Sequence, residues 1–251
     1  MRRILLRVAY DGTCYHGWQV QNNGKTIEGE LNKALSKLCH TEIEVTGASR
    51  TDAGVHGLCN VAVFDTEMNI PAEKFAYALN QLLPPDIRIR ESKEVEPDFH
   101  PRRVKTRKTY EYRLDCEEFA NPLKQRYAFF TYYPLNVEKM RQAAEYLTGE
   151  HDFTSFCSVH GTAESNIRTI YEIQIIRDGT DIFIRITGNG FLYNMVRIIV
   201  GTLMEVGQGK YEPERVKIIL GKKDRCAAGP TVPANGLILK ELHFLDEKKE
   251  K

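Results

Sequence analysis

The sequence predicts an α+β protein made of two related halves, each a mostly antiparallel sheet faced by helices. Three observations predict it. Short alternating or β-branched runs recur along the chain, and amphipathic helical stretches separate them. The order strand, helix, paired strands also occurs twice, in residues 1–104 and again in residues 105–245, ahead of a charged tail at 246–251.

The elements follow in order. Ile4, Leu6, Val8 and Tyr10 alternate with Leu5, Arg7 and Ala9, and Asp11-Gly12 supplies turn chemistry, so the chain opens with a strand. Thr26 is placed to cap a helix whose core face is Ile27, Leu31, Ala34, Leu35 and Leu38. Two β-branched runs, Ile43 to Thr46 and Leu58 to Phe64, read as strands and leave Arg50 to His56 as the loop between them. A second helix is expected from Pro71 to about Leu83, stopped by Pro84-Pro85, with a strand from Ile87 to Glu94 after it. In the second half, Thr109 to Leu114 is a strand. Asn136 caps a helix carrying Val137, Met140, Ala144 and Leu147, with Gly149 past its end. Ile167 to Ile176 and Ile182 to Thr187 pair across Asp178-Gly179, and a long apolar helix runs from Phe191 to Glu205. The stretch Asp152 to Asn166 has no period and reads as a long loop, the kind more often functional than idle.

Composition removes several function classes. With 42% hydrophobic and 27% charged residues the chain is neither disordered nor a membrane protein. The formal net charge of +1 gives no global pull on a polyanion, so any nucleic-acid contact rests on local clustering. One such cluster exists: between His100 and Lys108 stand Arg102, Arg103, Lys105, Arg107 and Lys108 without an acid. It reads either as a solvated face or as a set of phosphate contacts. The six cysteines, at 14, 39, 59, 116, 157 and 226, show neither a Cys-x-x-Cys pair nor zinc spacing, which indicates reduced thiols and no metal site. Arg7 and Asp11 interrupt what would be a signal-peptide core, and Arg197 sits in the most apolar helix, Phe191 to Met204, itself short for a span. The expected location is cytoplasmic, with no membrane partner.

Four residues stand out chemically. Asp52 precedes Ala53-Gly54, which suits an Asx-turn, yet Arg50 two residues earlier is placed to hold a carboxylate ionised. Arg197 shares a helix face with Tyr193 and Gly201, opposite Leu192, Val196, Ile199 and Leu203. It either snorkels to solvent or needs an anionic partner, for which Asp52 or an RNA phosphate would serve. Tyr110 and Tyr112 alternate onto one sheet face directly after the basic run, as core aromatics or as a platform for a base.

These residues fall in motifs that resemble the TruA family of tRNA pseudouridine synthases over essentially the whole folded length. That family's signature is Gly-Arg-Thr-Asp-Ala-Gly-Val-His, and this chain carries Ser49-Arg50-Thr51-Asp52-Ala53-Gly54-Val55-His56. Further agreement lies in Tyr10-Asp11-Gly12, Gly17-Trp18-Gln19, Asp98-Phe99-His100 with Arg102, Tyr110-x-Tyr112, Asp152 to Phe156, Phe191 to Gly201 and Gly236-Leu237. The one departure in the signature is Ser49. A Ser there would be strained if the backbone needs a positive φ.

The resemblance implies a pseudouridine synthase fold with a central RNA-binding cleft and a cofactor-free isomerisation of uridine in the anticodon stem-loop of tRNA, at tRNA positions 38, 39 and 40. It makes Asp52 the catalytic nucleophile or base, Tyr110 the ring that packs on the target uracil, and Arg197 with Arg50 the partners of the Asp52 carboxylate. Arg102, Arg103, Lys105, Arg107 and Lys108 are then phosphate contacts, and the protein a homodimer. The alternative is a tRNA-binding or folding factor that keeps the fold without catalysis, for which Ser49 would be the disabling change.

Overall fold

A computed structural model of the chain describes residues 1–158 and 164–245, so the tail from Asp246 and part of the expected loop before Asn166 lie outside the described residues. The chain divides into two compact units: Met1–Thr106 with the C-terminal segment from Ile238, and Arg107–Leu237.

In the first unit, strand β1 (Arg2–Tyr10) lies between β3 (His56–Thr66) and β4 (Ile87–Val95), antiparallel to both. Helix α1 (Ile27–Cys39) starts as expected, with the Thr26 side chain accepting from Gly29 N–H, and it buries Ile27, Leu31, Ala34 and Leu35. Those residues pack with Ile4, Leu6 and Val8 from the strand and with the fully buried Trp18. The strand expected from Ile43 to Thr46 is not formed. Ile43 N–H donates to Ser36 Oγ and Val45 N–H to Asn32 Oδ1, both at 2.9 Å, so α1 takes the donors that a ladder would need. Only the two residues of β2 (Thr46–Gly47) pair with β3. The helix expected from Pro71 opens as a 3₁₀ turn, and α2 covers only Phe75–Asn80.

The longest strand that went unread in the sequence lies near the C-terminus. Residues Leu237–Phe244 form a strand in which Ile238 and Leu239 pair in parallel with His56 and Gly57 of β3. The segment from Ile238, expected in the second half, therefore packs with the first.

In the second unit, β5 (Thr106–Asp115) pairs antiparallel with β9 (Asp181–Gly188), β9 with β8 (Ile167–Asp178), and β8 with β7 (Gly149–Asp152). A two-residue strand, β6 (Phe129–Phe130), runs parallel to β5. Helix α3 (Val137–Glu145) is capped by Asn136, whose side chain accepts from Lys139 N–H. Helix α4 is Met195–Gly207, four residues shorter at its start than the apolar pattern suggested, because Asn194 takes a left-handed φ of 60°. Its two-faced reading also fails. Every residue from Met195 to Gly207 is buried except Arg197 and Glu205, since the segment carrying Pro230 and Val232 covers the side that Gly201 presents. A shorter helix, α5 (Arg215–Lys222), follows, and the strand from Leu237 is β10. The Asp152 to Phe156 motif holds this unit together. Ser155 Oγ donates to Ile219 O and accepts from Asp224 N–H, bracketing α5, while Phe153 and Phe156 are fully buried. Among the described residues, no helix is long and apolar enough to cross a membrane.

Candidate active site

Asp52 stands in the loop between β2 and β3, as the pattern indicated, and the structure shows how firmly that loop is held. Val55 N–H donates to Asp52 O at 3.1 Å and Gly54 takes φ of 78°, a tight turn that glycine allows at this position. Gly54 N–H is used by Tyr15 O at 3.2 Å. The turn is thus closed by main chain. Asp52 itself is half-buried, between a buried Thr51 and an exposed Ala53.

The segment from Tyr10 to Trp18 forms the loop's other wall. Thr51 O accepts from Trp18 N–H at 3.0 Å, and the Thr51 and Tyr10 hydroxyls share a buried hydrogen bond at 2.9 Å. Burial pushes the Tyr10 phenol far above its usual range, so the hydroxyl stays protonated at any physiological pH. Two glycines make the approach possible. A Cβ on Gly12 would lie 2.0 Å from Val55 O, and one on Gly17 would lie 2.5 Å from Thr51 O. Gly12 N–H also donates to Nδ1 of the buried His56 at 3.0 Å, with an Asp11 carboxylate oxygen 3.1 Å from the same nitrogen. On the far side, Asn60 Nδ2 donates to Ser49 O at 2.9 Å. Ser49 has no positive φ, so the feared strain does not arise; its buried hydroxyl lacks a hydrogen-bond partner among the described residues.

Two guanidinium groups of the first unit adjoin this loop. Arg50 is exposed, and Arg102 donates through Nε to Gly47 O at 2.7 Å. Burial first, and the neighbouring Arg50 charge second, hold the Arg102 guanidinium below its usual range. Like charges so placed favour an incoming anion. The rest of the basic run is divided between the two units. Arg103 is an exposed turn residue, and Lys105 O accepts from Leu245 N–H at 2.9 Å. Arg107 and Lys108 belong to β5 in the second unit, where Arg107 lies over the Tyr171 ring at 5.3 Å.

In the second unit, Tyr110 is buried on β5, with its ring edge-to-face against Phe191 at 5.2 Å and 85°. Arg197, in the first turn of α4, donates through Nε to Val232 O at 2.7 Å and through Nη1 to Asn194 Oδ1 at 2.8 Å. Asn194 in turn donates to Ser158 Oγ at 2.9 Å. Main chain and an amide thus hold the guanidinium on its own helix and the segment beside it. Tyr112, the alternate on β5, is fully buried and donates to Pro233 O at 2.7 Å, so it is a core residue. Sequence reasoning assigned no role to Tyr10, Gly12, Gly17, Asn60, Phe191 or Asn194. The glycines beside the Asp52 motif were the available signal, since a glycine in a folded turn often marks close backbone approach. Among the described residues no three His, Cys, Asp or Glu side chains converge as metal ligands.

An α+β protein that clamps one carboxylate on a glycine-supported loop beside paired guanidinium groups, and separately fixes a strand tyrosine and a helix arginine, has the equipment of an enzyme acting on an anionic substrate. Comparison with known proteins makes this specific. The profile of a family described as tRNA pseudouridine synthase matches residues 7–102 and 143–244. The tRNA pseudouridine synthase A of Thermoanaerobacter sp. (strain X514) is 48% identical over 239 residues, covering 95% of this chain and 98% of the relative. That of Brevibacillus brevis is 47% identical over 244 residues, covering 97% and 100%. The chain belongs to the tRNA pseudouridine synthase family.

Proposed function

We propose that this enzyme isomerises uridine to pseudouridine in the anticodon stem-loop of tRNA, with Asp52 as its catalytic carboxylate. The observation that carries the reading is the Asp52 loop itself: a turn closed by main chain, walled by Gly12 and Gly17, inside a signature with a single departure. The reaction breaks the N1–C1′ bond of uridine, turns the freed uracil and rejoins it through C5. A carboxylate serves either by attack on C1′ or by removing the C2′ proton. Neither route needs a cofactor, because the product is an isomer of the substrate.

The target uridine leaves its stack to react. Tyr110, propped by Phe191, would pack on the uracil, and its hydroxyl would help the C5 proton leave. Arg50 and Arg197 would keep the Asp52 carboxylate ionised and oriented, and Arg102, Arg103, Lys105, Arg107 and Lys108 would take phosphates along an RNA-binding cleft. The family resemblance supports tRNA positions 38, 39 and 40, a homodimer and, with six free cysteines, a reducing cytoplasmic setting. Ser49, the ground for a non-catalytic alternative, has no positive φ to disable the loop.

Asp52→Asn tests the assignment. Release of tritium from tRNA labelled at uracil C5 should fall below detection while tRNA affinity stays within about twofold. Near-normal release would remove Asp52 from the chemistry.

A further inference from the structure

Arg168 is the second residue of β8, opposite His151 of β7. Its guanidinium is half-buried and uses one nitrogen, Nη1, for two main-chain carbonyls, Ser165 O at 2.8 Å and Ile167 O at 2.6 Å. Two arginines of β5 and β9 meet carboxylates: Arg113 pairs with Asp181, and Arg185 with Glu111. Arg168 does not. Burial holds its guanidinium below its usual range, and the Cys157 thiol is the group that opposes this. A half-buried cation that meets only carbonyls gains when an anion arrives.

The edge formed by Nε and Nη2, without a hydrogen bond among the described residues, is the one that grips phosphate in two-point fashion. That edge borders Gly190, where even an added Cβ would stand 3.7 Å from Nε, so no side chain of this residue covers it. Gly190 leads directly into Phe191, whose ring props Tyr110. The strand register brings further positive charge to the same end of the sheet. Lys108 lies opposite Gly188 and Gly188 opposite Ile170, with the Arg107 guanidinium over Tyr171. Lys108 shares the β5 face of Tyr110, two residues away, so positive charge from two strands lies at the end of the sheet where Tyr110 and Phe191 pack.

We infer that Arg168 binds a backbone phosphate of the substrate RNA next to the uridine that Tyr110 receives. The inference rests on the role proposed above for Tyr110. It makes Arg168 a substrate-positioning residue: it fixes the strand beside the flipped nucleotide and takes no part in bond making.

The experiment measures binding of an unmodified anticodon stem-loop transcript to the full-length protein between 50 and 200 mM salt. One phosphate contact contributes a slope of roughly 0.7 to 0.9 in log affinity against log salt. Over that range the wild type should therefore lose about threefold more affinity than Arg168→Gln. The variant should bind several-fold more weakly at 50 mM, with kcat at saturating RNA within about twofold of wild type. Arg168→Lys should restore the slope while still binding more weakly, because an ammonium keeps the charge and loses the two-point grip. It also carries the test should the Gln variant not fold. An unchanged slope in Arg168→Gln with a lowered Tm would make Arg168 a clamp on its own strand and overturn the inference. So would a Lys variant with wild-type affinity, or a loss confined to kcat. Failure of the wild type to bind the transcript, or activity surviving Asp52→Asn, would instead overturn the proposed function.

Discussion

Gly17→Ala is the sharpest probe of how the Asp52 loop is held. Gly17 takes φ of 91°, and a Cβ there would stand 2.5 Å from Thr51 O, 3.1 Å from the Asp52 carbonyl carbon and 3.2 Å from Ala53 N. All three neighbours are backbone, so no flexible side chain can give way. Cβ contacts do not go below 3.0 Å, and Thr51 O must therefore retreat by about half an ångström, straining the Trp18 N–H bond it accepts at 3.0 Å. Asp52 is the next residue and moves with it. A misplacement of about 1 Å costs on the order of a hundredfold in rate, so half of that should lower kcat roughly tenfold, about 1.4 kcal/mol of barrier. Positive φ adds about 1–2 kcal/mol of strain for a residue with a Cβ, which in a chain of this size lowers Tm by about 2–8 °C. Single-turnover tritium release at saturating tRNA reads the first quantity, and a thermal melt the second. Gly179→Ala is the control: its φ of 57° brings similar strain, but nothing lies within 4 Å of the added Cβ. That variant should melt lower and turn over normally. If Gly17→Ala turned over at the wild-type rate, or if both variants lost activity equally, the argument that Gly17 positions Asp52 would fail.

Two further outcomes follow from single groups. Ser49 Oγ is buried without a partner, so Ser49→Ala should raise the free energy of unfolding in urea by about 1 kcal/mol and leave turnover unchanged; a destabilised variant would refute the reading of that hydroxyl. Asp152 is held below the usual carboxylate range, first by the Thr154 hydroxyl and then by Lys223. A carboxyl depressed in the folded state stabilises above its unfolded pKa of roughly 3.9, and loses that effect as pH falls through the lower folded value. Asp152→Asn should thus be less stable than wild type at neutral pH, with the gap closing in acid; a gap constant from neutral pH to about pH 2 would contradict it.

Much of the first unit was legible because its signals are local. The cap at Thr26, the face of α1 and the turn at Asp52-Ala53-Gly54 each depend on residues within about four positions, and all three stand where the pattern put them. The same holds for Asn136 and for the β8–β9 hairpin. Local signals misled where a distant group competed for the backbone. Ile43 and Val45 have strand composition, yet their N–H groups are taken by side chains of α1. In the apolar run from Phe191, periodicity could not show that Asn194 would turn left-handed before the helix begins.

By itself the sequence determined the fold class, the family and the loop that carries Asp52, because these rest on short-range periodicity, turn chemistry and a contiguous motif. The tertiary structure alone decided that β10 returns to pair with β3, that Tyr10 and Gly17 grip Thr51, and that Arg197 is aimed by Val232 and Asn194. It also decided that Arg168 is half-buried without a carboxylate partner among the described residues. Those facts depend on which backbone groups, tens to hundreds of residues apart, satisfy one another once the chain is packed, and no local pattern encodes that choice.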